Sequence, residues 1–332
     1  MNSMKSLVSL VVVPRERFSS ARESLESIYA NTDLRFELIY VDARSPPYVR
    51  RYLQVAAAKY GFKLLRTERY LMQNQARNIG LAETDARYVV FLDNDVIVSP
   101  GWLGPLVECA EQTGASVVGP ITCIGRPEEE LIHVAGGRLH ARDGAKGKRL
   151  DDEMLHLNER LSDVRGQLER QQCDLVEFHC MLVRRELFDR LGPFDERIIN
   201  TKDHIDFCIT VERAGGAIYF EPRSCITHVP PWVRFTPSDL PYYLLRWSDE
   251  WARATLRHFN EKWGLEDEDE ERMAGWIAPH RRVIFQSIEK RFRSAVLRRY
   301  LGRPMALGIA RALEVLVTPV ARSQAEPPRI GL

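Results

Sequence analysis

At 332 residues, with 45% hydrophobic and 28% charged positions, the chain has the composition of a globular protein that buries a sizeable core. A formal net charge of +1 excludes the broad basic field that non-specific nucleic-acid binding requires, so no nucleic-acid partner is expected. Six cysteines (Cys109, Cys123, Cys173, Cys180, Cys208 and Cys225) form no C-x-x-C pair, and several lie in apolar runs. They read as free thiols of a reducing compartment, and a cytoplasmic location is expected.

The first apolar run, Leu7 to Val13, meets Pro14-Arg15-Glu16-Arg17 at once. It is too short to span a bilayer and has no small-residue cleavage site, so it predicts a core strand rather than a signal. Ser19 to Ala30 has helical spacing, with Leu25, Ile28 and Tyr29 on one face. "FELIYVDARSPP" predicts a second strand ending at Asp42 and a Pro-rich turn. Val49 to Tyr60 is a helix closed by Gly61, "FKLLRT" a third strand, and Gln73 to Ala82 another helix. Tyr88 to Leu92 follows as a buried strand. Such alternation predicts an α/β fold with a mostly parallel sheet and right-handed crossovers.

Ligands on such sheets bind beyond the carboxyl ends of the strands. Asp42 and Asp93-Asn94-Asp95 both stand there, so they should meet in one crevice. Two carboxylates one residue apart repel each other. A divalent cation with oxygen ligands, Mg²⁺ or Mn²⁺, would relieve the repulsion and bridge to a substrate diphosphate. The same three residues also read as a solvated turn; their place after a buried strand favours the metal.

"NQARNIGLAETDARYVVFLDND" closely resembles the stretch of family 2 glycosyltransferases in which an A-R-N-x-G helix precedes the strand bearing a D-x-D. "VVVPRERFSSARESLESI", "LIYVDARSPP", "CMLVRRELFDRLGPFDERI" and "DHIDFCITVERAGGAIYFEPRSCITH" resemble further blocks of that family in the usual order. The likeness covers residues 7 to 229; it departs at Ala43, where a second acidic or amide residue is usual. It implies a GT-A fold, a Rossmann-like sheet flanked by helices, with a nucleotide-sugar donor, a divalent metal and inversion at the anomeric carbon. By position, Asp42 and Pro14 would form the nucleoside pocket, and Arg77 and Asn78 would lie beside the donor. Asp93 would face the ribose or sugar with Asn94 next to it. Asp95 would bind the metal, and His228 matches a position that often adds a ligand. Arg77 also reads as a helix ion pair, and His228 as a capping or core histidine.

Transfer to a hydroxyl also needs a base. The family usually supplies it as the second residue of an E-D pair followed by x-D-(L/F)-C. Here that block reads Asp203-His204-Ile205-Asp206-Phe207-Cys208. Asp203 stands in the place of the Glu and His204 in that of the base, so either is a candidate, with the carboxylate of Asp203 slightly preferred. Asp206 completes the candidate catalytic set by orienting the helix start or the acceptor.

Between these blocks, His133 to Lys148 reads as a flexible loop, and Asp151 to Gln172 as an inserted surface helix. His179 reads as a satisfied core residue. After residue 229 comes an aromatic, Arg-interleaved segment, read as helices packed on the catalytic domain or as an acceptor wall. "EDEDEE" (266–271) is a solvated charge run, and His280 to Arg303 carries eight Lys/Arg against one Glu among apolar residues. "MALGIARALEVLVTPV" is too short and too charged to span a membrane. The tail therefore reads either as an interfacial element on anionic lipid or as a helical hairpin.

The domains expected are 1–229 catalytic (1–122 binding the nucleotide sugar, 123–229 on the acceptor side), 230–265 an aromatic helical segment, and 266–332 an acidic linker with a basic tail. Together these form a GT-A fold with a helical C-terminal extension. The function expected is a glycosyltransferase moving sugar from a UDP-, GDP- or dTDP-sugar to a glycan or lipid-linked acceptor in surface polysaccharide or glycolipid synthesis, peripheral at the inner face of the plasma membrane. The alternatives are a non-catalytic sugar-binding or scaffold protein of the same fold and a nucleotidyltransferase, though "VVVPRERFSS" lacks the Gly-rich phosphate loop that the latter needs.

Overall fold

The computed structural model describes residues 6–144, 147–233, 235–266 and 315–327, with single positions at 275, 277, 279, 280 and 312. In chain order the elements are β1 (Val8–Val13), α1 (Ala21–Asn31), β2 (Glu37–Ala43), α2 (Pro47–Tyr60), β3 (Lys63–Thr67), α3 (Gln73–Leu81), β4 (Tyr88–Asp93) and β5 (Val96–Val98). Next come α4 (Leu103–Thr113), β6 (Val117–Ile124), β7 (Leu131–Val134), β8 (Gly137–Asp143), β9 (Lys148–Met154), α5 (Leu161–Val164), β10 (Gln171–Gln172) and β11 (Cys180–Arg184). The last are α6 (Leu187–Leu191), α7 (Asp203–Arg213), β12 (Ile218–His228), α8 (Leu240–Arg246) and α9 (Asp249–Trp263).

The main sheet runs β10-β12-β6-β11-β4-β1-β2-β3. β4, β1, β2 and β3 are mutually parallel, β12 is parallel to β6, and β11 runs antiparallel between β4 and β6. Because strand side chains alternate, β1 and β4 feed two cores at once. Leu10, Val12, Val90 and Leu92 face the helices α1, α2 and α4, whereas Val11, Val13, Val89 and Phe91 face α3, α6 and α7. Each fully buried aliphatic side chain of this kind contributes about 1.5–3 kcal/mol.

Local signals close the helices as expected. Gly61 caps α2 at φ 74°, and its N–H donates to the Ala57 carbonyl. Gly80 brings α3 against β1: a β-carbon there would stand 2.2 Å from Val11 Cγ1, closer than any side chain permits. That contact draws in the face of α3 that carries Arg77.

Two sequence expectations fail. Residues 133–148 are not a loop: β8 and β9 pair antiparallel from Gly137↔Met154 to Asp143↔Lys148. Residues 151–172 are not one helix, because β9 runs on to Met154 and only the short α5 follows. Among 151–172 only Leu161 is buried, so helical spacing there had no apolar face to support it.

The aromatic segment forms α8 and α9. Asp239 accepts from the backbone N–H groups of Phe18 and Ser19, tying the start of α8 to the loop after β1. In the tail, 315–323 is helical and Ala321 is buried in the first core. Tyr70 then pairs with the end of this segment: its N–H donates to the Gln324 carbonyl (2.7 Å), and its carbonyl accepts from Glu326 N–H (2.8 Å). The basic stretch expected from 281 to 303 lies outside the described residues.

Candidate active site

The carboxyl ends of β1, β4 and β12 converge, and each delivers polar side chains to one buried cluster, with β2 alongside β1. Val13 is in register with Asp93, which places the loop after β1 beside the D-x-D. Asn94 locks that loop: its Oδ1 accepts from Arg15 N–H (3.1 Å) and its Nδ2 donates to the Arg17 carbonyl (2.7 Å). Glu16, held between them, is buried. On the other side, Val229 N–H donates to the Asp95 carbonyl (2.9 Å) and brings the end of β12 alongside.

Asp95 is fully buried, and neither of its carboxylate oxygens has a hydrogen-bond partner. His228 Nε2 stands 3.6 Å from Asp95 Oδ2, and both ring nitrogens of His228 are also without partners. One ligand atom each from Glu16, Asp95 and His228 lies within 4.8 Å of the others. Burying a carboxylate this way without compensation costs several kcal/mol. The donor set of two carboxylates and one imidazole suits a divalent cation, Mn²⁺ better than Mg²⁺ on account of the imidazole.

Asp93 is held through one oxygen, Oδ2, while its Oδ1 is buried without a hydrogen bond. Arg15 Nη1 reaches its Oδ2 at 3.2 Å, His179 Nδ1 the same oxygen at 3.1 Å, and Arg77 Nη2 its Oδ1 at 3.9 Å. Burial pushes its carboxyl above the usual range against the pull of Arg15 and Arg77. Arg77, fully buried and stacked on Phe178, also donates to Asp203 Oδ2 (2.6 Å). Burial alone would raise Asp203, but Arg77 and His204 overcome it and hold Asp203 well below the carboxylate range. His204 Nδ1 lies 3.7 Å from Asp203 Oδ1, and its Nε2 is buried without a partner.

The model of glycosyl transferase family 2 matches residues 9–192, more than half the chain. The chain belongs to glycosyl transferase family 2. It is 26% identical over 227 residues to uncharacterized protein y4gI of Sinorhizobium fredii, covering 67% of this chain and 24% of that one. It is 27% identical over 154 residues to the pre-mycofactocin glycosyltransferase of Mycobacterium tuberculosis, covering 46% of this chain and 29% of that one. The chain thus spans only about a quarter to a third of the length of the curated relatives it matches. Its fold is similar to that of GalNAc-T7, solved with UDP, GalNAc and Mn²⁺ (TM-score 0.55, 19% identity, 84% of this chain and 55% of that one). The fold is therefore GT-A.

Within this family 2 frame, the expected residues divide. Pro14, Arg77, Asp93, Asp95, Asp203, His204 and His228 are drawn together around the ends of β1, β4 and β12. Asp42 ends β2, its Oδ2 bonded by Arg66 (2.6 Å) and its Oδ1 by Ser45 N–H (2.9 Å). Three of the expected residues also hold the local structure. Asn94 serves as the loop clamp just described. Asn78 is used by Phe194, whose N–H donates to it and whose carbonyl accepts from it, and by Glu196. Asp206, expected to be catalytic, gives one oxygen to Trp263 Nε1 (2.9 Å) and both to Lys262, tying α7 to α9.

Four residues were missed. Glu16 lies three residues beyond the end of β1, an acidic residue in the loop after a buried strand. Glu177 and His179 alternate as polar positions within the apolar "LVEFHCMLV", a visible signal that was read as core. Arg246 stands alone in the apolar "YYLLRW"; it is fully buried, with Nε and Nη1 unpartnered. Burial, and then Arg15, pull it below its ordinary value against the opposite pull of Glu16 and Asp203.

Proposed function

We propose that this chain is an inverting, divalent-cation-dependent glycosyltransferase that moves sugar from a nucleoside-diphosphate donor to a hydroxyl acceptor, in surface polysaccharide or glycolipid synthesis. The observation that carries the reading is the unpartnered Asp95 carboxylate facing His228 and Glu16 at the strand ends. The neighbouring fold that holds UDP and Mn²⁺ supports it. Incubation with UDP-, GDP- and dTDP-sugars and Mn²⁺ tests it: one donor should release its nucleoside diphosphate, and none doing so would overturn the reading.

Asp95, His228 and Glu16 would hold the cation, which when bound would neutralise charge developing on the leaving diphosphate. Arg246 and Arg15 add guanidinium charge from the protein itself. Arg246 is suited to phosphate because its free N–H groups are already desolvated and pre-oriented. Asp42, Pro14 and Arg66 border the nucleoside pocket. Arg77 holds Asp93 and Asp203 at fixed positions for the sugar.

For the base, the geometry favours His204 over Asp203. Asp203 is committed to Arg77 and held strongly acidic, whereas His204 offers a free Nε2 and has Asp203 beside its Nδ1. An imidazole with a free nitrogen can take the acceptor proton. His204→Gln should then lower kcat by about 10²–10⁴-fold, the usual range for loss of a general base. Asp203→Asn should lower it less and shift the pH–rate profile. A larger loss in Asp203→Asn, with His204→Gln near wild type, would return the role to Asp203.

The same reading places the enzyme at a membrane surface through its tail. No described helix is long and apolar enough to cross a bilayer. Yet on 315–323, which follows the basic stretch in the sequence, Val315, Leu316 and Val320 are 71%, 69% and 56% exposed. Anionic vesicles at low salt should bind the protein, and changing all three residues to Ser should weaken binding while the buried Ala321 keeps the segment docked. Indifference of the wild type to anionic lipid would refute this.

A further inference from the structure

His133 ends β7's side of the site, and Glu177 and His179 lie in the turn that enters β11. Asp93 N–H donates to the His179 carbonyl (3.2 Å), so this turn is fixed directly beside the D-x-D. Glu177 Oε2 stands 3.3 Å from His133 Nε2 and 3.4 Å from His179 Nε2. These separations exceed the roughly 2.7–3.2 Å of an N–H···O hydrogen bond, and Glu177 Oε2 is buried without one. They do match a coordination edge: ligand atoms about 2.0–2.1 Å from a tetrahedral ion stand roughly 3.3 Å apart.

His179 supplies a second, independent sign. Its other nitrogen, Nδ1, lies 3.1 Å from Asp93 Oδ2. That approach does not meet hydrogen-bond geometry, since Nδ1 is buried without a bonded partner, but a carboxylate near the outer nitrogen is a usual neighbour of imidazoles that bind metal. His133 is the least buried of the three, its side chain 26% exposed, and leaves a path inward.

We propose that His133, Glu177 and His179 form a second cation site, separate from Glu16, Asp95 and His228, that takes a transition metal such as Zn²⁺. Two imidazoles and one carboxylate suit a borderline-soft ion and leave a fourth position open to water or a hydroxyl. The two sites are neighbours: the rings of His179 and His228 stack with centroids 4.1 Å apart. The inference stands on these atoms alone and does not depend on glycosyl transfer.

The test uses the full chain, stripped with chelator and titrated with Zn²⁺ and Co²⁺ by equilibrium dialysis with elemental analysis. Loss of even an outer partner of a metal ligand costs about 10–100-fold in affinity. His133→Ala, which deletes a ligand at a part-exposed position, should weaken one Zn²⁺ equivalent by on the order of 100-fold. It should also abolish the intense visible bands of four-coordinate Co²⁺, with Mn²⁺ binding retained. Asp95→Asn should keep those bands. Circular dichroism confirms folding, and Glu177→Gln provides the second variant. Folded wild type that binds no Zn²⁺, or His133→Ala that binds it as tightly as wild type, would mean that Asp93, His179, Glu177 and His133 are only a polar chain.

Discussion

Asp95→Asn should lower kcat by about 10³-fold or more while leaving the metal-free melting temperature unchanged or raised. The two halves of this prediction have one cause. Asp95 presents two buried oxygens with no partner, so in the metal-free protein the carboxylate is a cost to folding. An amide of the same shape removes that buried charge. Cation stabilisation of a leaving diphosphate supplies several kcal/mol, and each ~1.4 kcal/mol is tenfold in rate. Thermal melts with chelator present, beside turnover with Mn²⁺, check both halves. Full activity in the variant, or in wild type with excess chelator, would remove Asp95 from the mechanism.

Arg77→Met should have the largest effect on stability, about 3–5 kcal/mol, because it strands Asp203 and leaves Asp93 with less positive charge, both in the core. Asn74 Oδ1, which accepts from Arg77 at 2.8 Å, also loses a partner. The pH dependence follows from the depressed folded value of Asp203. That group contributes stability above the unfolded carboxylate value of about 3.9, and the contribution is lost as pH falls through the lower folded value. In Arg77→Met the contribution is absent, so the gap to wild type should be widest near neutrality. It should begin to narrow above pH 4, where burial without Arg77 lets the stranded carboxylate take a proton, and narrow further as wild type loses its contribution at lower pH. Urea titrations across that range measure it. A variant as stable as wild type at pH 7 would show that Arg77 does not hold the site together.

The part of the fold legible in sequence was the part whose periodicity coincides with burial. β1, β2 and β4 are apolar runs because both their faces are covered, and α2 shows its apolar stripe and its Gly61 stop. The β8–β9 hairpin was not legible. Its strands are largely exposed, and their pairing is set by backbone register rather than by a hydrophobic pattern.

The site divides along the same line. Asp93 and Asp95 announced themselves as charges at the end of an apolar strand. Arg246 reaches the site only because Asp239 anchors α8 to the loop after β1 and Tyr242 Oη donates to the Leu71 carbonyl. No local pattern encodes that convergence. Asn78 and Asp206 carry the family spacing, and the bonds they make to the segment at Phe194 and to α9 are written in no local pattern.

Calorimetric titration of wild-type protein with UDP, GDP and dTDP, with and without Mn²⁺, tests the central claim most directly. One of these nucleoside diphosphates should bind when Mn²⁺ is present, bind far more weakly in chelator, and lose that metal dependence in Asp95→Asn. Binding that is equally tight in chelator, or no binding of any of the three by folded protein with Mn²⁺, would contradict a cation-assembled donor site at the ends of β1, β4 and β12.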